Sequence, residues 1–527
     1  MAKDKVFLYD TTLRDGSQSR SISFSLEDKL NILRKLDDMG FDYVEGGWPN
    51  PTHELDRLFF EEAARMDLKH ARPAAFGSTR RPGIKASEDG LLQALVDAKS
   101  PVITIFGKTW DLHVTKVIRT TLEENLAMIT DSVAFLKDNC GEVMYDAEHF
   151  FDGWKNNRDY SLKTLEAAVK GGADWLILCD TNGGMMPDET AAITEEVCKA
   201  FDVKIGIHGH NDTACAVANS LVSVQAGARQ VQGTINGFGE RCGNTDLTAV
   251  IPGLELKYGY ETIGKKRVSQ LVSLSRYVDE VANQHANPRR PYVGAYAFAH
   301  KAGAHIDGVL KEPTSFEHMP PETVGNARSF TLSDQAGGSL IVSKIAKYFP
   351  NVDKKDPLVR ALLVKVKEME AEGYQFEAGE GSFRLLVEKE LGRYTEPFSC
   401  EGFRVYEEQS AVRTKELSAE ATIKVICKGE EFHTAAEGDG PVNAMDNAIR
   451  KALTNFYPGL STMGLVDYKV LVINGADGTS AKVRVIIESA DEEESWGTVG
   501  VSTNIIEASW IALVDALNYK LLKDGLA

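Results

Sequence analysis

The sequence has few cysteines and no long apolar run. Its 527 residues include seven cysteines, which are scattered and form no CxxC pair. An odd, scattered set is typical of reduced thiols and not of a disulfide framework. Runs such as WLILC and YKVLVI have the length of a strand and are too short to span a bilayer, and MAKDKVFLYD lacks the apolar core of a secretory signal. We therefore expect a soluble protein of the cytoplasm.

Basic residues are in the minority. Lysine and arginine number 59 against 77 aspartates and glutamates, which gives a formal net charge of -18. This charge argues against non-specific binding to nucleic acid or to an anionic membrane. A small anionic substrate stays compatible with it, because a local cluster of arginine, histidine and metal can override the global field. The length of the chain predicts two to four domains.

The first half of the chain contains eight short apolar runs at fairly even spacing, separated by helical patterns. Strands that alternate with helices over about 245 residues predict a (β/α)8 TIM barrel. A doubly wound open sheet is the alternative, but it would more usually carry a glycine-rich phosphate loop after its first strand, and TTLRDGSQ is not such a loop. The predicted strands begin near Val6, Asp42, Pro73, Val102, Glu142, Asp174, Val203 and Gln230.

The clearest helix signal is SLEDKLNILRKLDDMG. Ser25 is a candidate N-cap, leucines at helical spacing form one apolar face, and Gly40 ends the pattern. A polar face and an apolar face together predict a helix that packs on the outside of the barrel.

The pattern changes after about residue 285, so we predict three domains with boundaries at 1–285, 286–400 and 401–527. The middle segment is a connector rich in Pro, Gly and His, followed by helices such as SLIVSKIAKYF and DPLVRALLVKVKEMEAEG, and is interpreted as helical linker subdomains. The last segment is rich in strands, with a hairpin expected to turn at Lys428–Gly429. It ends in two similar stretches, GPVNAMDNAIRKAL and GVSTNIIEASWIALVDAL. These predict an α+β domain of two ββ(β)α repeats, suited to effector binding or, alternatively, to dimerisation alone.

Polar residues cluster after the predicted strands of the barrel. The carboxyl ends of the strands of a TIM barrel meet at one face, where active sites lie. The residues at these ends are Arg14, Asp15, Glu148, Asp180, Thr181, His208, His210 and Asn244.

The stretch IGIHGHND is the strongest local signal. Residues two apart in a strand point the same way, so His208 and His210 face one side, and Gly206 leaves room beside them. With Asp15 as an oxygen donor, and the Asn244 amide as an optional further donor, this predicts a mixed N/O metal site with open positions. Such a site suits Mg, Mn, Zn or Co. The alternative is a pair of hydrogen-bonded barrel histidines.

A metal there would chelate the carboxylate and keto oxygen of a 2-oxo acid. Arg14 would then face the carbonyl oxygen on which negative charge develops; the alternative is a surface salt bridge. Glu148 is a candidate general base, or the partner of one, and equally a structural acid paired with a lysine or arginine. The role of His305, in KAGAHIDG, is left equally open.

The motifs DTTLRDG, HGHND and NGFGERCGN together resemble the DRE-TIM metallolyase superfamily and, within it, the 2-isopropylmalate, homocitrate and citramalate synthases. The resemblance covers nearly the whole chain, including the connector FAHKAGAHIDGVLK and a C-terminal domain similar to the leucine-type regulatory domain of 2-isopropylmalate synthase. The stretches MYDAEHFFDGWKNN and LILCDTNGG resemble the citramalate synthase branch in particular.

The resemblance implies a set of roles. It implies Asp15, His208 and His210 as metal ligands, with Asn244 a further or neighbouring group. Arg14 matches the arginine on the keto oxygen and the enolate, Thr181 the threonine that holds the substrate carboxylate, and Glu148 and His305 the acid–base pair. The implied reaction is a Claisen-type condensation of acetyl-CoA with a 2-oxo acid, followed by thioester hydrolysis. A homodimer and an amino-acid effector, isoleucine, are implied as well.

The identity of the 2-oxo acid depends on pocket size. Pyruvate, which would give (R)-citramalate for isoleucine biosynthesis, is favoured by the branch resemblance. The alternatives are 2-oxoisovalerate, for leucine biosynthesis, and a homocitrate-type acceptor. Phe76, Phe106 and Asp146, near the ends of strands three to five, are placed to crowd the pocket. The chain departs from the family pattern at Phe316 in TSFEHM, where relatives often have a tyrosine. The role of that tyrosine hydroxyl is therefore assigned to no residue.

Other classes of protein fit the sequence less well. An aldolase or an enzyme like HMG-CoA lyase would usually stop near the end of the barrel and lack the regulatory module. A biotin-dependent carboxyltransferase shares the barrel, but no AMKM-type segment is present in the sequence. The non-enzymatic hypothesis is a metal-binding protein that has lost catalysis. The presence of Arg14, Asp15, Glu148 and both histidines argues against it.

Overall fold

A computed structural model describes residues 4–50, 52–330, 342, 345, 356–376, 378–408, 418–473 and 480–527 of the chain. These residues divide into two compact units, one formed by 1–298 with 319–328 and the other by 299–318 with 329–527. The three-domain boundaries predicted from the sequence stay a prediction. Within the described residues, no helix is both long and apolar enough to cross a membrane.

The first unit is a closed barrel of eight parallel strands in sequence order, as predicted. The barrel closes where the first and last strands pair, with Phe7 opposite Gln230 and Asp10 opposite Gly233. In order, the strands are Phe7–Asp10 (β1), Tyr43–Gly47 (β2), Arg72–Ser78 (β3), Val102–Lys108 (β4), Glu142–Glu148 (β5), Trp175–Asp180 (β6), Lys204–Gly209 (β7) and Gln230–Gly233 (β8).

Helices surround the barrel. They are Leu26–Asp38 (α1), Glu54–Ala63 (α2), Gly90–Asp97 (α3), Leu122–Lys137 (α4), Phe150–Gly171 (α5), Pro187–Ala200 (α6), Ala216–Gln225 (α7), Leu247–Pro252 (α8), Lys265–Val268 (α9) and Leu271–Val281 (α10). Short 3-10 or π helices lie at Gly16–Gln18, Ala86–Glu88, His113–Val117, Ile235–Gly237, Gly253–Tyr258 and Pro321–Val324.

Helix α1 begins with the predicted cap. The Ser25 hydroxyl accepts from Asp28 N at 3.2 Å, and the Asp28 carboxylate accepts from Ser25 N at 2.8 Å. This reciprocal pair is a capping box, which satisfies two amide groups that the first turn leaves without a helical partner. The chain leaves the helix at Gly40, whose φ of 80° suits a residue without a side chain.

Apolar side chains fill the interior of the barrel as well as the layer between strands and helices. Tyr9, Tyr43, Met144, Trp175 and Ile177 are buried together inside the strands. A packed interior leaves no channel through the barrel, so ligands have access only to the loops at its rim.

The second unit contains two three-stranded antiparallel sheets, each followed by a helix, which agrees with the predicted repeats. Lys428 and Gly429 turn the first hairpin with φ of 52° and 84°, the left-handed geometry of a type I′ turn. Its elements are Ala299–His300 (β9), Gly303–Lys311 (α11), Ser329–Phe330 (β10), Pro357–Glu372 (α12), Glu380–Glu390 (α13), Phe398–Glu408 (β11), Ser418–Cys427 (β12), Glu430–Gly438 (β13), Pro441–Leu453 (α14), Gly464–Val472 (β14), Val483–Ala490 (β15), Ser495–Ser502 (β16) and Ile505–Lys523 (α15), with 3-10 helices at Pro313–Ser315 and Pro458–Thr462. Except for residues 342 and 345, the predicted helix SLIVSKIAKYF lies outside the described residues.

Candidate active site

A cavity of about 270 Å³ opens at the carboxyl ends of the barrel strands. Most of the residues predicted from the strand ends line it, so the structure brings them together as the architecture requires. These are Arg14, Asp15, Glu148, Thr181, His208 and His210.

The turn after β1 is held in shape by a buried aspartate. The Asp10 carboxylate accepts from Thr12 N at 3.0 Å and from the Thr12 hydroxyl at 2.8 Å, and the same hydroxyl accepts from Ile235 N at 2.8 Å. Burial raises the pKa of Asp10 to about 7, although the bonds from Thr12 act against this rise. These bonds connect the turn to the residues that follow β8 and thereby fix the backbone positions of Arg14 and Asp15.

Arg14 lies between two carboxylates and an aromatic ring. Its Nε donates to Glu45 Oε1 at 2.5 Å, its Nη1 pairs with the Asp15 carboxylate, and its guanidinium lies 3.7 Å from the centre of the Phe76 ring. Only 15% of the Arg14 side chain is exposed, so this is not a surface salt bridge. Burial lowers the pKa of Arg14, but the charges of Asp15 and Glu45 outweigh burial and raise the pKa above its usual value. The guanidinium therefore stays charged.

His208, Asp15 and Asn244 are in mutual contact. His208 Nε2 lies 3.6 Å from Asp15 Oδ2, and Asn244 Nδ2 lies 3.2 Å from His208 Nε2 and 3.4 Å from Asp15 Oδ2. The His210 ring is 5.3 Å from the His208 ring, measured between ring centres. Each of these side chains is buried.

Burial sets the charge state of this group. Burial and the neighbouring His208 lower the pKa of His210 to about 3, and burial also lowers the pKa of His208. Burial alone would raise the pKa of Asp15, but the positive charge of Arg14 outweighs it and the pKa lies below its usual value. At neutral pH the set therefore consists of two neutral imidazoles and one carboxylate.

The side chains of this cluster are of the chemical types that bind a divalent cation. Among the residues that the structure describes, His210 Nδ1 and Asn244 Oδ1 are buried without a hydrogen-bond partner, and a Cβ atom at Gly239 would lie 1.9 Å from Asn244 Oδ1. The loop after β8 thus closes directly on an amide oxygen with an unused lone pair. In the part of the chain that is described, however, no group of three or more His, Cys, Asp and Glu side chains is arranged to hold a metal ion, and Asp15 faces Arg14 instead. The ligand roles stay a prediction.

Glu148 is paired with a lysine that sequence reasoning missed. β4 and β5 pair with Lys108 opposite Glu148, and the Lys108 ammonium group contacts the Glu148 carboxylate. Because 22% of the Glu148 side chain is exposed at the cavity, the pair leaves the carboxylate accessible to a ligand. Both interpretations of Glu148, as base and as structural acid, remain open.

Thr181 is oriented by an unusual residue. The Thr181 hydroxyl oxygen accepts from His149 N at 2.9 Å, and His149 takes a left-handed φ of 56° to present that amide. A hydroxyl that accepts through its oxygen keeps its hydrogen for another partner. Asp180, also predicted at this strand end, instead accepts from Gly184 N and Met185 N at 3.1 Å each and shapes the turn.

An aromatic wall forms one side of the cavity. Phe76 and Phe106 stack with ring centres 5.6 Å apart, and Trp48 packs edge-on against both at 5.9 and 5.7 Å. The sequence analysis did not predict Trp48 or Glu45 as site residues, because β2 carries no catalytic motif. The acidic residue within the apolar run DYVEGGW was a signal that could have identified Glu45. Asp146 is buried and lines the cavity together with these rings.

His305 belongs to the second unit. It lies on α11, and its ring stacks on Phe316 with the ring centres 4.4 Å apart. Phe316 is 47% exposed. The acid–base role of His305 stays a prediction.

Comparison with known families accounts for most of the chain. HMGL-like proteins match residues 5–278, the homocitrate synthase post-HMGL domain-like family matches 292–373, and the LeuA allosteric (dimerisation) domain matches 377–521.

Several relatives match over nearly their whole length. The (R)-citramalate synthase of Aquifex aeolicus is 53% identical over 525 residues, which cover 99% of this chain and 98% of the relative. That of Geobacter sulfurreducens is 52% identical and covers 98% of each chain. A probable 2-isopropylmalate synthase of Methanopyrus kandleri is more distant, at 33% identity over 98% of each chain. The chain therefore belongs to the HMGL-like enzymes and, among them, to the family of the (R)-citramalate synthases.

Proposed function

We propose that this enzyme condenses acetyl-CoA with pyruvate and releases (R)-citramalate and CoA. The observation that carries the proposal is the convergence of Arg14, Asp15, Glu148, His208 and His210 on one small cavity, in a chain 53% identical to an (R)-citramalate synthase. A 2-isopropylmalate or homocitrate synthase is the alternative, and the greater distance of the 2-isopropylmalate synthase relative weighs against the first of these.

A divalent metal ion, Mg, Mn, Zn or Co, is part of the proposal. Asp15, His208 and His210 would hold it, with Asn244 as a further or neighbouring group. When bound, the ion would polarise the keto group of the 2-oxo acid and hold its carboxylate. Neutral imidazoles and an ionised carboxylate are the protonation states that this ligation needs.

Arg14 and Thr181 would position the 2-oxo acid. The Thr181 hydroxyl, which already accepts from His149 N, donates its hydrogen to the substrate carboxylate. The Arg14 guanidinium donates to the keto oxygen as negative charge develops there. Since Glu45 and Asp15 already hold the guanidinium in place, little reorganisation is needed during the reaction.

Glu148 would remove a proton from the methyl group of acetyl-CoA. The resulting carbanion attacks the keto carbon, and the keto oxygen takes up a proton to become the tertiary hydroxyl, with His305 as the partner acid. Water then cleaves the thioester and CoA leaves. Lys108, in contact with Glu148, holds its carboxylate in place between turnovers.

The aromatic wall would set the acceptor. 2-Oxoisovalerate carries two more methyl groups than pyruvate, and an apolar pocket distinguishes one such group by only about 1–3 kcal/mol. Trp48, Phe76 and Phe106 occupy the space beside Arg14 with large rings. This filling favours the smaller acid.

The remaining parts of the proposal concern the whole chain. Residues 1–285 form the catalytic barrel, 286–400 complete the active site, and 401–527 form a regulatory domain. The match to the LeuA allosteric (dimerisation) domain supports a homodimer, and isoleucine, the end product, is the proposed effector.

The test is thiol release from acetyl-CoA with pyruvate, 2-oxobutyrate, 2-oxoisovalerate and 2-oxoglutarate in turn. We expect the highest kcat/KM with pyruvate, and a release rate at least about 100-fold lower from Glu148→Gln. A preference for 2-oxoisovalerate or 2-oxoglutarate would replace the citramalate assignment by the corresponding alternative.

A further inference from the structure

A line of hydrogen-bonded side chains crosses the barrel interior behind His208. It runs from Asp146 on β5 through Gln232 on β8 to His208 on β7. Gln232 Nε2 lies 3.3 Å from Asp146 Oδ1, and Gln232 Oε1 lies 2.9 Å from His208 Nδ1. All three side chains are buried, and Gln232 is completely so. None of the steps proposed above uses Gln232.

The orientation of the Gln232 amide is determined by its neighbours. Its Nε2 donates to Asp146 Oδ1 and also to Gln230 Oε1, each at 3.3 Å. Gln230 in turn directs its own Nε2 to the Met144 sulfur at 3.6 Å, which leaves its Oε1 as an acceptor. A reversed Gln232 amide would place its oxygen against Gln230 Oε1 in a buried site, at the cost of that hydrogen bond. The oxygen of Gln232 therefore faces His208.

This orientation determines the tautomer of His208. An amide oxygen only accepts, so the hydrogen of the imidazole must be on Nδ1. The lone pair is then on Nε2, the atom that faces Asp15 and Asn244. The 3.2 Å approach of the Asn244 amide nitrogen to His208 Nε2 agrees with this, because that nitrogen has only hydrogens to offer.

We propose that Gln232 is a positioning residue that fixes the Nδ1–H tautomer and the ring direction of His208, so that Nε2 is presented as a metal donor. The inference rests on the proposed function, since it concerns the same metal site, and it assigns a role to the interior face of β8. Partners of this kind orient the ligating histidine, and their loss typically costs about 10- to 100-fold in metal affinity.

A purely structural role for Gln232 makes a different prediction. A buried amide that only satisfies its neighbours would alter stability when replaced and leave the metal affinity of the folded protein unchanged. The readout must therefore be metal affinity, measured on protein shown to be folded.

The experiment is a calorimetric titration of the metal-stripped, full-length protein with Mn²⁺, without substrates. Gln232→Leu removes the acceptor, and we expect its Kd for Mn²⁺ to rise about 10- to 100-fold at unchanged stoichiometry. Gln232→Glu keeps an oxygen on His208 Nδ1, and its second oxygen can share a proton with Asp146, so its Kd should stay within about threefold of wild type. Asn219→Leu is the control. It removes a buried amide on α7 that donates to Met185 O at 3.0 Å and has no described contact with Gln232 or His208, and should change Kd less than about threefold.

Three results would overturn the proposal. One is a folded Gln232→Leu protein with wild-type affinity, which leaves the metal site and the proposed function intact. Another is a rise of Kd in Gln232→Glu by tenfold or more, a result that needs only this variant and so decides the matter even if Gln232→Leu does not fold. A third is a wild-type protein that binds no Mn²⁺ at all, which would also remove the metal from the proposed function.

Discussion

At the scale of single residues, the environment of Arg14 decides how it can act. Its guanidinium is held by Glu45 on one side and Asp15 on the other, above the Phe76 ring. A planar group with several donors can serve both carboxylates and still direct a hydrogen at a substrate. A lysine has the charge without this geometry.

Arg14→Lys should therefore lower kcat by about 100- to 1000-fold, the usual loss when one oxyanion donor is removed. Mn²⁺ affinity, measured by titration, should change less than about threefold because the ligands are untouched. Arg20→Lys, at an exposed position nearby in the sequence, is the matched control. A kcat within threefold of wild type would remove Arg14 from the proposed chemistry.

Glu148→Gln should separate binding from turnover. The amide keeps the size of the side chain but accepts no proton, so we expect kcat to fall by about 100- to 10,000-fold. Pyruvate and Mn²⁺ affinities should be retained. The variant should also lose the exchange of acetyl-CoA methyl protons with deuterated water, followed by mass spectrometry. Normal turnover or normal exchange would show that Glu148 is a structural acid.

At the scale of strands and helices, the sequence predicts a structural feature correctly where a single strand, helix or turn determines that feature. The period of two in IGIHGHND correctly put His208 and His210 together, and the cap at Ser25 and the turn at Lys428–Gly429 are local patterns that the structure confirms.

Pairs that depend on barrel closure were not predictable in this way. Lys108 meets Glu148 only through the register of β4 and β5, and Gln232 meets His208 only because β8 lies beside β7. Nothing in the letters around Gln232 distinguishes it from any polar residue in a strand. The orientation of Arg14 toward Glu45 likewise requires β2 to follow β1 around the barrel.

In the second unit, ion pairs from Asp491 to Lys520 and Lys523 hold the C-terminal end of α15, and we call these three residues the clamp. Asp491, between β15 and β16, contacts Lys520 at 3.0 Å and Lys523 at 2.8 Å, and its side chain is 4% exposed. The hydrogen bond from Lys523 lowers the pKa of Asp491 well below its usual value, against the effect of burial. The two lysines also lie in the last helical turn, where positive charge is favourable.

Asp491→Asn should loosen this end of the helix. Because the pKa is lower in the folded state, the carboxylate stabilises the fold above its unfolded pKa of about 3.9 and loses this effect as the pH falls through the folded value. We expect about tenfold less hydrogen-exchange protection of α15 than in wild type at pH 7, and a smaller difference at pH 3. Glu492→Gln, in the same turn and exposed, is the control. A difference that does not shrink in acid would contradict the clamp.

At the scale of the whole molecule, catalysis and regulation are proposed for different parts of the chain. The barrel carries the candidate chemistry, while residues 377–521 match an allosteric and dimerisation domain. The two compact units do not follow this division, because the second begins at residue 299 and includes His305, to which the proposal gives a catalytic role.

Deleting residues 401–527 should abolish inhibition by isoleucine. Turnover of pyruvate, measured by thiol release, should become insensitive to isoleucine, even if dimer formation is weakened. Glu492→Gln, at an exposed position of the same segment, is a full-length comparison in which we expect inhibition to be retained. Inhibition that survives the deletion would locate the effector site outside this segment.

The most direct test of the central claim is to identify the product. Full-length protein is incubated with Mn²⁺, pyruvate and acetyl-CoA labelled with ¹³C in the methyl group, and the mixture is followed by NMR and chiral chromatography. We predict (R)-citramalate with the label in its methylene carbon, no product in excess EDTA, and recovery when Mn²⁺ is restored. No labelled citramalate, or undiminished formation in EDTA, would contradict the account.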